Sequence, residues 1–150
     1  MGIMFETLRR EDVERCVDMI LELLKRQKAP VKDRKAIEQL IYGDYAVSVV
    51  AKDGDNVVGL VNGTVLPPPS INFFFVASGE IARKDVGGLL IEKIIEVMKK
   101  RSPEIDFIVT RITADDIPLL FLYLSRGFAV NGFIKQGIDN KDVLILRRNI

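Results

Sequence analysis

Histidine and tryptophan are absent from this 150-residue chain, and cysteine occurs once, as Cys16. Without histidine the commonest metal ligand and the commonest general base are missing, which argues against a metal site and against Ser-His-Asp hydrolysis. A single cysteine closes no internal disulfide. Charge of one sign is lacking too. With 22 basic and 21 acidic side chains the formal charge is +1, so no surface for nucleic acid or a polyacid is marked, and any recognition of anions must be local. No apolar run is long enough to span a bilayer, and the N-terminal stretch carries acidic residues and helical periodicity where a signal peptide has its apolar region. The expected setting is cytoplasmic, with neither membrane nor nucleic acid as partner.

What is present is the balance of a soluble globular chain, 48% hydrophobic and 29% charged, of a length that suits one domain over residues 1–150. Ile3 to Leu8 reads as a strand. Glu11 and Asp12 then open a helix striped by Val13, Val17, Ile20 and Leu24, with Cys16 a small core residue on the same face. Ala36, Ile37, Leu40 and Ile41 mark a second helix, from Asp33 to Tyr42. Tyr45–Lys52 and Val57–Leu66 form a hairpin around Asp53-Gly54-Asp55. Gly59 and Gly63 in its second strand leave space for a neighbour to pack close. After Pro67-Pro68-Pro69 the nearly continuous apolar run Ile71–Val76 has the pattern of a central strand covered on both faces. Later come a strand from Asp106 to Ile112, an apolar helix from Asp116 to Ser125 stopped by Gly127, and strands Ala129–Gln136 and Asp142–Arg148. The order β-α-α-β-β-β-α-β-α-β-β predicts an α/β (α+β) fold, a mixed sheet with helices on both faces.

The chain is organised around residues 80–100. Leu90, Ile91, Ile94, Ile95 and Met98 recur at helical spacing and predict an amphipathic helix. Its first turn carries N–H groups without intrahelical partners and partial positive charge. Gly87 and Gly88 keep side chains away from that backbone, so this end suits an anion. Two glycines and an Asp cap would also serve simply to start a helix.

Asp116-Ile-Pro-Leu-Leu-Phe-Leu-Tyr-Leu-Ser-Arg-Gly-Phe128 resembles a segment of the GNAT-type N-acetyltransferases, in which an Asn opens a helix bearing an aromatic-Tyr pair and ending in Gly-Phe; Tyr123, Gly127 and Phe128 are in register. Asp85-Val-Gly-Gly-Leu-Leu-Ile91 is similar to the end of that family's phosphate loop, and the element order matches nearly throughout. The resemblance implies a GNAT-like, mostly antiparallel sheet and acetyl-CoA as cosubstrate, held where the fourth and fifth strands part. Carried over, Phe75, Val76 and Ala77 would line the pantetheine through their backbone. Val86, Gly87 and Gly88, aided by Arg83 and Lys84, would hold the pyrophosphate. Asp116 would stand on the cofactor side at the family's Asn position, and Tyr123 would be the catalytic acid.

Two positions depart from the family pattern besides Asp116. Ala82 stands where the family has Arg or Gln, and Asp85 stands at its first Gly. A one-residue shift offers Arg83 in place of Ala82 but spoils the Leu-Leu alignment. Asp85 beside a pyrophosphate is unfavourable by charge, which Arg83 and Lys84 would offset; alternatively Asp85 caps the helix.

The chemistry implied is direct attack of a primary amine on a thioester through a tetrahedral oxyanion. Amines titrate near ~10.4 and thiols near ~8.5, so a base and an acid both assist at neutral pH. No base is evident: Asn72 would at most orient a water, Glu80 reads as loop surface, and Glu6, Asp44 and Tyr45 are undistinguished as amine contacts. The acceptor, a small-molecule or peptide amine, is not named by the residues. Exposed apolar edges leave room for a homodimer. The alternative from another class is a GNAT-fold binding or regulatory module without catalysis.

Overall fold

The computed structural model describes residues 2–26, 33–77 and 85–150. Seven strands form one sheet: β1 (Met4–Thr7), β2 (Ala46–Asp53), β3 (Asn56–Thr64), β4 (Ser70–Val76), β5 (Phe107–Thr113), β6 (Ala129–Ile138) and β7 (Lys141–Asn149), in the spatial order β1-β2-β3-β4-β5-β7-β6. Every neighbouring pair is antiparallel except β4 and β5, which run parallel. The helices are α1 (Val13–Arg26), α2 (Arg34–Tyr42), α3 (Val86–Arg101) and α4 (Ile117–Ser125). This is the mixed α+β sheet expected from the element order, and it is mostly antiparallel as the resemblance implies.

The apolar stripes decide the layers. Val13, Cys16, Val17 and Ile20 of α1 join Ile37 and Ile41 of α2 against Val50 and Leu60 of the sheet. On the opposite face Leu90, Ile91, Ile94 and Met98 of α3 pack with Tyr123 of α4 against Val49, Val61, Ile71, Ile108 and Leu146. α3 comes close because β3 has no side chain at Gly59, where a Cβ would lie 2.8 Å from Leu90 Cδ1. The first helix begins later than its acidic residues suggest: Arg10–Asp12 form a 3-10 turn and α1 proper starts at Val13. The last hairpin differs more. β6 continues through Ile138, and the turn is Asp139-Asn140, both left-handed at φ 47° and 60°. Two consecutive residues at positive φ match the twist of the flanking strands, and Asp and Asn tolerate it best after glycine.

The feature that positions a site is the short β4–β5 pairing. It consists of Ser70 with Val109 and Ile71 with Thr110, while β4 stays paired to β3 as far as Val76. Aromatic rings cluster around Tyr123 in the α3 layer beside the parting strands. Tyr123 lies 6.3 Å from Phe74 of β4 and 5.0 Å, edge-on at 72°, from Phe128. These spacings suit aromatic pairs.

Candidate active site

Tyr123 is held from three sides. It sits on α4, whose first turn is capped by Asp116 accepting from the Leu119 N–H at 3.3 Å, with Pro118 in that turn, where a missing N–H does no harm. The phenol is buried at 1% exposure in a groove of ≈ 120 Å³ that it lines with Asn72, Phe74, Thr110 and Arg111. Burial pushes its pKa up to about 12, the Thr110 side chain acting in the opposite sense. At neutral pH it is therefore a protonated donor. Thr110 is itself oriented, its hydroxyl donating to the Ile71 carbonyl at 3.0 Å, at the last rung before the strands part.

Along β4 the backbone alternates. The Ala77 N–H donates to Val58 O at 2.8 Å, and with Phe75 opposite Leu60 the groups of Phe75 and Ala77 turn toward β3. Those of Phe74 and Val76 turn toward the gap beside β5. Of the three residues expected to face a cofactor there, Val76 has the facing backbone. Phe74 has it as well, and only the register reveals it.

At the entrance of α3, Val86, Gly87 and Gly88 are all buried. Asp85, at φ 56°, is the helix N-cap: its carboxylate accepts from the Gly88 N–H at 3.3 Å. The capping alternative for Asp85 is therefore the observed one. The Arg126 guanidinium, from the end of α4, forms an ion pair with that carboxylate. It lies where a Cβ on Gly88 would be, and such a Cβ would also come within 2.5 Å of Asp85 Oδ1. A carboxylate and a guanidinium thus cover the helix end. Gly87 has a different reason to be glycine, since a Cβ there would meet Leu122 Cδ2 at 2.9 Å and Phe74 Cζ at 3.0 Å. Its bareness lets α3 pack on α4 and β4. Arg83 and Lys84, with Ala82 and Glu80, lie outside the described residues.

The remaining candidates separate. Glu6 is engaged by Lys52 at 2.7 Å and Arg9 at 3.2 Å, and Asp12 also holds Lys52, at 2.6 Å. Carboxylate hydrogen bonds are the first cause that raises the Lys52 pKa. This ion cluster joins β1, β2 and the 3-10 turn and has no part in the groove. Asp44 and Tyr45 line a separate groove that reaches Asn72 at its other side. Cys16 is buried at 1% exposure. Among the described residues no group of three His, Cys, Asp or Glu side chains is placed to hold a metal ion, and no helix is long and apolar enough to cross a membrane. Arg126 has little to mark it in the sequence, because its partner Asp85 is far away along the chain; its place beside Gly127 at the end of α4 is the available sign.

This fold recurs in known structures. The ribosomal-protein-S18-alanine N-acetyltransferase of Escherichia coli superposes with a TM-score of 0.79 at 16% identity, over 99% of this chain and 94% of that one. Ard1 from Thermoplasma volcanium superposes with a TM-score of 0.80 at 14% identity, over 100% and 99%. A chain of the NatC complex bound to Gag peptide and CoA gives 0.81 at 16%, over 100% and 99%. No curated protein is significantly similar in sequence. Likenesses at these identities speak to the fold alone, but the sequence profile of the acetyltransferase (GNAT) family matches residues 17–128. That span runs from α1 through the parting strands, Tyr123 and the Gly-Phe that follows α4, so the chain belongs to the GNAT family of acetyltransferases.

Proposed function

We propose that this protein moves an acetyl group from acetyl-CoA to a primary amine by direct attack. The observation that carries the reading is the two-rung β4–β5 pairing with the Tyr123 phenol buried in the angle beyond it. Phe74 and Val76 would hold the pantetheine arm through backbone groups that have no ladder partner on that side. The amides of Val86, Gly87 and Gly88 suit the pyrophosphate, with Arg126 a cation within reach. Asp116 acts on this side through the helix it caps. Acetyl-CoA supplies a thioester carbon open to attack. The amine nitrogen bonds to that carbon, the C–S bond breaks, and the sulfur takes its proton from the Tyr123 hydroxyl. The amine releases its own proton to water, for among the described residues no carboxylate lines the Tyr123 groove.

Isothermal titration with acetyl-CoA tests the reading, followed by release of free thiol in the presence of amines. Binding and thiol release are expected; absence of binding at millimolar acetyl-CoA would remove the proposal. One observation favours the second reading, a GNAT-fold module without catalysis: the Asp85–Arg126 pair covers the amides a pyrophosphate needs. The two are separated by thiol release that disappears in Tyr123→Phe, which only the enzyme gives.

A further inference from the structure

The groove at Tyr123 does not end at the phenol. Ile71, Asn72, Thr110 and Arg111 line it and also line a larger cleft of ≈ 510 Å³ between the β3–β4 loop and the tip of the last hairpin. The larger cleft is where an acceptor has room to approach. Its polar lining is Thr64, Ser70, Asn72, Thr110 and Arg111, so among the described residues it contains one cation and no carboxylate.

Arg111 is distinguished from the other cations of β5 and β7. Arg147 stacks over the Phe107 ring at 4.1 Å and donates to Asn149 at 3.0 Å. Arg148 is paired with Glu92 at 2.6 Å, and Lys141 with Asp115 at 3.2 Å. Arg111, exposed on β5, has no carboxylate or ring partner among the described residues. Asn72 adds to the same polarity. The Ser70 hydroxyl donates to its Oδ1 at 3.0 Å, and the Asn72 amide hydrogens have no acceptor among the described residues. A guanidinium fork and an amide NH2 line the larger cleft, and both also line the smaller groove that holds Tyr123. Such a lining suits an anionic oxygen pair, for which arginine has the matching planar geometry, and it repels a second cationic group.

We infer that the acceptor is an amine that also bears a carboxylate, as a free amino acid does, and that Arg111 with Asn72 recognises the carboxylate while the amine is presented toward Tyr123. This rests on the acetyltransferase reading and narrows its acceptor. It makes Arg111 a specificity residue and sets polyamines aside.

The test compares leucine, leucinamide and spermidine as acceptors with acetyl-CoA, for the native protein and Arg111→Gln. The amide has the less basic amine and so the larger reactive fraction near pH 8; a preference for the free acid runs against that bias. The expected result is kcat/KM about 10- to 100-fold higher for leucine than for leucinamide, carried by KM. Arg111→Gln should remove the difference and leave the KM for acetyl-CoA unchanged. Preference for spermidine, or a leucine preference that survives in Arg111→Gln, overturns the inference while leaving the transferase intact. A binding arm needs no turnover. N-acetyl-leucine titrated into the protein should bind at least tenfold more tightly than N-acetyl-leucinamide, and Arg111→Gln should abolish the gap. Equal binding of the two overturns the inference. Failure of acetyl-CoA to bind, with the N-acetyl-leucine preference present, would instead strike the transferase reading and uphold the site.

Discussion

At the scale of a residue, the phenol of Tyr123 has two attachments that separate cleanly. Its ring is fixed by Phe74 and Phe128, and its hydroxyl is the part the proposed reaction uses. Tyr123→Phe keeps the ring pair and should leave the fold unchanged. In the proposed reaction it should lower kcat by about 100-fold or more, the usual contribution of a positioned acid, with the KM for acetyl-CoA little altered; steady-state kinetics with circular dichroism as a fold control checks it. The pH dependence has a definite sign. The protonated phenol is the active form, and its pKa is pushed up to about 12, so loss of activity through Tyr123 begins only as pH climbs toward that value. The rate should therefore rise with deprotonation of the amine and then level. A downturn near pH 9 that persists in Tyr123→Phe would belong to another group, and one that tracks Tyr123 would contradict the burial argument.

At the scale of an element, the entrance of α3 shows charge competing with capping. Asp85 caps the helix from a left-handed conformation at φ 56°, and its carboxylate occupies the Gly88 amide that an anion would otherwise take. Asparagine caps as well as aspartate and tolerates the same φ. Asp85→Asn should preserve α3 and, in the proposed binding mode, tighten acetyl-CoA by about tenfold, because a like charge is removed from beside the proposed pyrophosphate site. Arg126→Ala should weaken it by a similar factor. Calorimetry on both variants checks the pair, and a change of the same sign in both would show that the ion pair acts only as a structural clasp. The helix itself was legible in Leu90, Ile91, Ile94, Ile95 and Met98, all buried as the period requires. The purpose of Gly87 was not, since the side chains it accommodates, Leu122 and Phe74, belong to α4 and β4. Periodicity reads which face of an element is apolar; it does not read which neighbour arrives there.

At the scale of the whole molecule, the order of strands along the chain followed from local patterns, whereas the parting of β4 from β5 was implied only by the family resemblance, because pairing between segments far apart in the chain leaves no local pattern. The two apolar layers also differ in how they can be probed. Cys16 lies in the layer under α1, buried with Val13, Val17, Ile37 and Leu60. Burial, with the Asp12 carboxylate adding to it, pushes the thiol up to about 11. Near pH 8 the folded protein therefore holds almost no thiolate, and a thiol reagent must wait for the layer to open. The site proposed for acetyl-CoA lies toward the opposite layer, which makes the cysteine a reporter of cooperativity between them. If the sheet and both layers open together, acetyl-CoA at 100 times its Kd should slow labelling of Cys16 by about 100-fold, since ligand that binds only the folded state suppresses opening by that factor. If α1 and α2 detach alone, the labelling rate should not respond to acetyl-CoA. The shared strands favour the first outcome: Val49 of β2 and Val61 of β3 serve the α3 layer, and Val50 and Leu60 of the same strands serve the α1 layer. Exposing one face leaves each strand with half its buried side chains, so labelling should fall with acetyl-CoA and rise with urea at the slope of global unfolding.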